Sequence, residues 1–127
     1  MEFLKRVHAK NILKWGGANQ NAVVLSGDLT TSCEIDEFRS AYPERFISLG
    51  LMEQNMMSFA AGLAREGLLP LVHTFSVFMY RRALDQIEMS IAYPNLPVKI
   101  FGFLIKIMNN TIVPHAFIIS KSIFMKI

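Results

Sequence analysis

The sequence predicts an α/β fold in three layers, a mainly parallel sheet flanked by helices. Short apolar runs bounded by Gly, Pro, Asp or Asn alternate along the chain with longer segments of helical pattern. Parallel neighbouring strands need crossover connections, and helices on the faces of the sheet supply them. With 127 residues, the chain has room for one domain with a real core.

The first half of this sheet comes from residues 22–50. Residues 22–28 form a β-branched run that closes with Gly27 and Asp28, which predicts a buried strand. The mixed, polar segment 32–42 predicts a short surface helix that stops near Pro43. Residues 45–50 return as a second strand, so the three elements form a βαβ unit.

The second half comes from residues 52–103. A helix is predicted over 52–65, with Gly67 as its C-terminal stop, followed by a strand over 69–75 in which Pro70 is tolerated near the start. A helix over 77–92 ends before Pro94, and 95–103 supply the fourth strand. The helical repeat over 52–65 is carried by Met52, Met56, Phe59, Ala60, Leu63 and Ala64.

The amino-acid composition limits the binding partners and the cellular compartment to be expected. Hydrophobic residues make up 52% of the chain and charged residues 18%, so we expect some apolar surface to meet a partner. The net charge of +3 is scattered without a basic stripe, which disfavours nucleic acid. A single Cys33, expected to be half-buried, excludes an internal disulfide and fits a reducing compartment. No secretory signal is evident at the N-terminus, so the cytoplasm is the expected location.

One carboxylate and two aromatic rings fall at neighbouring strand-to-helix junctions. Glu53 opens the helix after the second strand, and Phe75 and Phe78 flank the end of the third. Ligands of parallel sheets lie beyond the carboxyl ends of the strands, so these residues and Asp28 should share one edge. A carboxylate beside aromatic rings suits a flat nitrogen heterocycle, which can stack on the rings and hydrogen-bond to the acid. A carboxylate in a first helical turn is also favoured by the helix dipole alone.

Three other charged or titratable side chains have simpler interpretations. Arg82 is expected to be a solvated helix charge, His73 a strand residue satisfied by its neighbours, and His8 an exposed residue. Neither histidine has the sequence context of a metal site or a nucleophilic triad, and no metal site is predicted on this chain.

Six motifs in order resemble the pyrimidine-binding domain of transketolases and their thiamine-diphosphate relatives, including the deoxyxylulose-phosphate synthases. The resemblance covers residues 23–103, roughly two-thirds of the chain. The motifs are Ser26-Gly27-Asp28-Leu29, Tyr42-Pro43-Glu44-Arg45-Phe46, Gly50-Leu51-Met52-Glu53-Gln54-Asn55-Met56, Ala60-Ala61-Gly62-Leu63-Ala64, Thr74-Phe75-Ser76-Val77-Phe78 and Arg81-Arg82-Ala83-Leu84-Asp85-Gln86-Ile87.

The resemblance implies a role for each candidate residue. A glutamate in the place of Glu53 hydrogen-bonds N1′ of the aminopyrimidine ring of thiamine diphosphate and relays the proton that activates the thiazolium carbon. Phe78, and after it Phe75, match aromatic positions that pack on this ring. Arg81 matches a position near the ring that relatives fill with arginine or tyrosine. Asp28 matches an acidic residue near the cofactor and the subunit interface, and it equally fits a cap of the following turn.

The end of the sequence departs from the family. Relatives follow the fourth strand with a glycine-rich loop and a Thr-His-Gln element that touches the sugar substrate, whereas this chain has His115 without those glycines. Residues 104–127 contain no acidic residue and are rich in Ile, Lys and Asn, as in a truncated or frame-shifted remnant or a divergent terminus. Lysines, Asn109 and Pro114 interrupt this stretch too often for a membrane span. The expected organisation is therefore a partial pyrimidine-binding domain over 1–103 and a divergent tail over 104–127.

The resemblance also implies partners. In the family, a separate domain holds the diphosphate and its magnesium, and the active site lies between the two domains of different subunits. The resulting hypothesis is part of a transketolase that moves a two-carbon ketol unit between sugar phosphates in a homo- or hetero-oligomer, this chain being inactive alone. A non-catalytic remnant or interaction module is the alternative from another class. Deoxyxylulose-phosphate synthase is the alternative among the enzymes.

Overall fold

The strands of the sheet are β1 (Ala22–Ser26), β2 (Phe46–Ser48), β3 (Leu69–Phe75), β4 (Lys99–Met108) and β5 (Thr111–Ile119). They come from a computed structural model that describes residues 6–108 and 111–119, with the side chains of residues 6–104. In this part of the chain the sheet order is β2-β1-β3-β4-β5. The first four strands run parallel and β5 runs antiparallel to β4. The predicted mainly parallel sheet is thus confirmed.

Helices cover both faces of the sheet. They are α1 (Val7–Ala18), α2 (Asp36–Ala41), α3 (Glu53–Arg65), α4 (Ser76–Arg82) and α5 (Leu84–Gln86), with a π-helical turn at Ile87–Ala92. Along β1, Ala22 and Val24 join the core cluster beneath α1 and α2, while Val23 and Leu25 join the cluster beneath α3 and α4. This alternation is the two-residue period of a strand buried on both faces, and it gives the predicted three layers.

Helix α1 was absent from the sequence-based prediction. Its C-terminal half carries Gly16 and Gly17, two poor helix formers that weaken the pattern. Gly16 is buried against the ring of Phe38 in α2, which stands closer than a Cβ at this position would tolerate. Tertiary packing between α1 and α2 therefore requires the residue that local propensity disfavours.

The predicted helix over 77–92 is interrupted. Helix α4 ends at Arg82, because Ala83 adopts φ −132° and ψ 16° outside the helical region. After α5 the chain widens into the π-helical turn, where the Tyr93 N–H donates to Glu88 O, five residues back. The apolar spacing of the sequence indicates a helix throughout this segment. It does not distinguish hydrogen bonds to the fifth preceding residue from the usual ones to the fourth.

The bounds of several other elements differ from the predicted ones, and the buried face of α3 is rotated relative to the predicted face. Strand β2 and helix α2 are shorter than predicted, and β4 begins at Lys99 and continues to Met108. The predicted boundary at residue 103 therefore falls inside a continuous strand. In α3 the buried positions include Met57 and Ala61, whereas Phe59 is exposed, as is Met52 directly before the helix. Within the described residues, no helix has both the length and the apolar character needed to cross a membrane.

A pair of histidines, one fully buried and one half-buried, joins α1 to the sheet. His73 in β3 is fully buried, its Nδ1 lies 3.2 Å from Leu71 O, and its Nε2 lies 3.0 Å from Nε2 of His8. Because a carbonyl only accepts, the His73 Nδ1–H donates to it, so His73 Nε2 accepts a hydrogen bond from His8 Nε2–H. His73 is satisfied as predicted, but His8 is half-buried beside Phe101 and Phe103 and not exposed.

Burial changes the ionisation of three groups in this layer. Desolvation lowers the pKa of His8 to about 4 and that of His73 to about 3, the neighbouring His8 adding to the second shift. Cys33 is fully buried, more than expected, and burial raises the pKa of its thiol to about 12. Trp15, the one tryptophan of the chain, lies half-buried in the same layer with the Lys99 ammonium 5.8 Å from its ring centre.

Candidate functional site

The carboxyl ends of β1, β2 and β3 meet at one edge of the sheet. Ser26 pairs in register with Ser48 on one side and with His73 on the other. A Cβ at Gly27, the residue after β1, would lie 3.6 Å from both Gly50 O and Thr74 Oγ1. The loop after β1, the loop after β2 and the end of β3 therefore lie close together. The β1–β2 connection through α2 and the β2–β3 connection through α3 pass over opposite faces of the sheet. This is the crevice where sheets of this order bind ligands.

Glu53 is held at this edge as the first residue of α3. Gly50 has φ +78°, a left-handed conformation that glycine adopts without strain, and the Met52 N–H donates to Gly50 O. This tight turn reverses the chain directly before the helix begins. The Glu53 side chain is only 2% exposed, although it carries a carboxylate. A buried carboxylate needs a charged or hydrogen-bonding partner.

Arg82 is that partner. Its Nη1 lies 3.2 Å from Glu53 Oε2 and 3.5 Å from Oε1, and its side chain is 49% exposed. Its guanidinium carbon also lies 3.8 Å from the ring centre of Phe78, within cation–π range. Arg82 is thus half-exposed but not a freely solvated helix charge, which corrects the expectation.

An open cleft of about 520 Å³ lies in front of the ion pair. Its polar lining contributes two guanidinium groups, one carboxylate and two amides, and its apolar lining is exposed to solvent. The lining residues are Leu51, Met52, Glu53, Gln54, Asn55, Arg81 and Arg82. A volume of this size falls within the range of small-molecule sites.

The two aromatic residues differ in their surroundings. Phe75 directly precedes α4 and packs against the core cluster beneath α1 and α2. Phe78 is half-buried one turn later, with its ring centre 6.0 Å from that of Phe75 and Arg82 over its face. Phe78 therefore presents a ring face beside Glu53, while Phe75 contributes to the core.

The remaining candidates lie at the same edge with different degrees of contact. Arg81 is exposed in the cleft, 5.9 Å from the Tyr80 ring centre. Asp28 is exposed with φ +62°, and the adjacent turn is capped by Ser26 Oγ, which accepts from the Leu29 N–H, so Asp28 is not that cap. His115 pairs with Leu104 across β4 and β5, and its side chain lies outside the described part of the chain.

Arg82 is the site residue that the sequence analysis missed. It follows Phe78 by four residues in α4, the spacing that places two side chains on one helical face. This spacing was the available signal. The contact with Glu53 spans 29 residues and depends on the packing of α3 against α4, which no local pattern reveals.

The arrangement fits a flat nitrogen heterocycle. The guanidinium of Arg82 is planar, lies over the face of Phe78 and donates N–H to the Glu53 carboxylate. A heteroaromatic ring that shares a proton with Glu53 through one ring nitrogen would make the same two contacts. The residues present are therefore suited to such a ring, and Arg82 stands where it would lie.

One known protein family matches nearly the whole chain. The family model described as "Transketolase, pyrimidine binding domain" matches residues 5–122. A 1-deoxy-D-xylulose-5-phosphate synthase of Desulfotalea psychrophila is 41% identical over 92 residues, which cover 72% of this chain and 14% of that protein. A 6-deoxy-6-sulfo-D-fructose transketolase subunit of Clostridium sp. strain MSTE9 is 35% identical over 100 residues, covering 79% of this chain and 31% of that subunit.

A solved structure has the same fold. It is described as a split gene transketolase in an inactive beta4 tetramer, and it aligns with a TM-score of 0.68 and 43% identity. The alignment covers 75% of this chain and 31% of the other. The chain thus spans less than a third of the length of each of these three proteins.

Proposed function

The chain belongs to the transketolase pyrimidine-binding domain family, and on this premise we propose that it binds the aminopyrimidine ring of thiamine diphosphate. The observation that carries the proposal is the buried Glu53 carboxylate beside the ring of Phe78, at the ligand edge of the sheet. When bound, the cofactor supplies the carbanion chemistry of ketol transfer. The part of this chain is to seat the ring and to hold a proton at one ring nitrogen.

Each candidate residue has a stated task in this proposal. The Glu53 carboxyl group shares a proton with the ring nitrogen, and its burial strengthens that hydrogen bond because water is excluded. Phe78 provides the stacking face, and Phe75 supports Phe78 from the core side. Arg81 lines the cleft in front of the ring, Asp28 stands at the adjacent loop towards a partner subunit, and His115 remains a proposed substrate contact.

The complete enzyme needs parts that lie outside this chain. We propose that a diphosphate-binding domain or subunit of the same enzyme holds the diphosphate and its magnesium, in a cytoplasmic homo- or hetero-oligomer. The proposed reaction is two-carbon ketol transfer between sugar phosphates. The exposed Leu51 and Met52 at the cleft offer apolar surface to such a partner. The division of the chain into a partial domain over 1–103 and a divergent tail over 104–127 stays a proposal.

Synthesis of 1-deoxyxylulose 5-phosphate is the second candidate, because one relative of 41% identity carries that activity in its name. The two candidates share the ring site and differ in substrates. Product analysis separates them.

Co-expression with a diphosphate-binding subunit tests the proposal. The purified mixture should retain thiamine diphosphate in the presence of Mg²⁺, and Glu53→Ala should lower ketol transfer by about 10²- to 10⁴-fold, the usual contribution of a positioned proton-transfer group. Glu66→Ala is the matched control, since Glu66 is an exposed glutamate just beyond α3. A wild-type mixture that assembles but retains no cofactor would instead identify a non-catalytic interaction module.

A further inference from the structure

Arg82 and the proposed ring compete for the same two surfaces. The guanidinium contacts both oxygens of the Glu53 carboxylate and lies 3.8 Å from the centre of the Phe78 ring. Glu53 is 2% exposed with this side chain in place. A heterocycle can therefore reach the carboxylate and the ring face only after the guanidinium has left.

We propose that Arg82 is a built-in occupant of the ring site, which satisfies Glu53 in the free chain and is displaced when an aminopyrimidine binds. This inference rests on the proposed function. It assigns to Arg82 a positioning role: it keeps a buried carboxylate paired and the site filled until the cofactor arrives. The affinity for the aminopyrimidine ring then depends on Arg82, which fills the site while no ring is bound.

The surroundings of Arg82 allow its displacement. Its side chain is 49% exposed and lines the open cleft, so a rotated guanidinium moves into solvent and not into the core. It is the last residue of α4, directly before the non-helical Ala83, so no further α4 turn follows it. By contrast, Met79 in the same helix is 2% exposed and fixed in the core.

The cost of displacement should lower the affinity for the ring. Breaking a half-exposed ion pair and a cation–π contact corresponds to about a five- to tenfold loss in a binding constant. Arg82→Ala should therefore bind thiamine about five- to tenfold more tightly than the wild-type chain. Arg82→Lys should fall between the two, because a lysine keeps the charge but lacks the planar group that covers the ring.

The experiment titrates the full chain with thiamine and follows two signals by NMR. Backbone amide shifts of residues 51–55 give the affinity, and the Arg82 Nε–Hε resonance reports whether the guanidinium leaves Glu53. Arg65→Ala is the control, an exposed arginine at the C-terminal end of α3 that is not among the residues lining the cleft. Its affinity should change less than twofold. If Arg82→Ala does not fold, Arg82→Lys takes its place.

The outcomes separate the two proposals. Tighter binding by the Arg82 variants, together with a shift of the Arg82 resonance to its solvated position, supports displacement. Binding by the wild type with an unchanged Arg82 resonance, or equal or weaker binding by the variants, overturns the occupant role and leaves the proposed function intact. If neither the wild type nor any variant binds thiamine, the proposed function fails and the occupant role fails with it.

Discussion

Among the described side chains, Glu53 is the one acidic group that is buried, and the sequence indicated its importance through position alone. A carboxylate directly after a strand and a tight glycine turn lies at the ligand edge of a parallel sheet, so its place was predictable. Its partner was not predictable, because the contact with Arg82 joins two helices. Local spacing tells which residues share an edge, and packing decides which of them touch.

Gly102 in β4 has no room for a side chain, because Ser76 lies too close to it. A Cβ at this position would lie 2.6 Å from Ser76 Oγ and 3.1 Å from Ser76 Cα. Gly102→Ala should therefore lower the free energy of unfolding by about 1–3 kcal/mol, as in other overpacked cores. Urea unfolding followed by circular dichroism measures the change.

Gly62→Ala is the control for that substitution. Gly62 lies in α3 with nothing within 4 Å of a Cβ, so alanine should raise the free energy of unfolding by about 0.5–1 kcal/mol through helix propensity. Equal effects of the two substitutions would contradict the close approach of Ser76 to β4.

Element by element, the strands and α3 were the most predictable parts of the fold. β1 and β3 are short runs buried on nearly every residue, which a sequence shows directly. Helix α1 was missed because Gly16, a poor helix former, serves the contact with Phe38. The break at Ala83 was missed because the buried residues keep a four-residue spacing across it, at Met79, Ala83, Ile87 and Ile91. In α1, tertiary packing prevailed over local propensity.

The contact between α1 and β3 should make folding sensitive to acid. His8 and His73 have folded-state pKa values of about 4 and about 3, below the unfolded value near 6.5, so the unfolded chain binds more protons. The contribution of the two histidines to the free energy of unfolding is complete above about pH 6.5 and is lost as the pH falls towards 4. Each histidine contributes up to about 1.4 kcal/mol per pH unit in this window.

His8→Phe should reduce that dependence by about one histidine's share. Urea unfolding between pH 6.5 and 5 is the measurement, since the two proteins share every other titratable group. An unchanged slope in His8→Phe would show that His8 titrates normally in the folded chain, against the buried pair described above.

For the whole molecule, the fold class and the two-sided core followed from the sequence, whereas the strand order followed only from the structure. Alternation of strands and helices implies a parallel sheet but does not state that β1 lies between β2 and β3. That placement brings the Gly27, Gly50 and Thr74 regions together and creates the ligand edge. The residues alone predicted that the candidates share one edge, and the structure adds which strands lie side by side along it.

Strand order predicts a gradient of amide protection across the sheet. β1 and β3 are paired on both sides, while β2 has three residues and a single neighbour in the described sheet. Amides of Val24 and Val72 should exchange only on global unfolding, and those of residues 46–48 at least about tenfold faster. Native-state hydrogen exchange by NMR measures both, and equal protection of β2 would contradict its edge position.

The position of Trp15 has a spectroscopic consequence. Indole emission from this chain originates on the α1 face alone, whereas Glu53, Arg82 and their cleft belong to α3 and α4 on the opposite face. Intrinsic fluorescence should thus follow the detachment of α1 and be nearly silent to occupancy of the cleft. A fluorescent dye or a second indole placed at Tyr80 in α4 would report on the other face. The unfolding of the two sides of the sheet could then be followed by separate fluorescence signals.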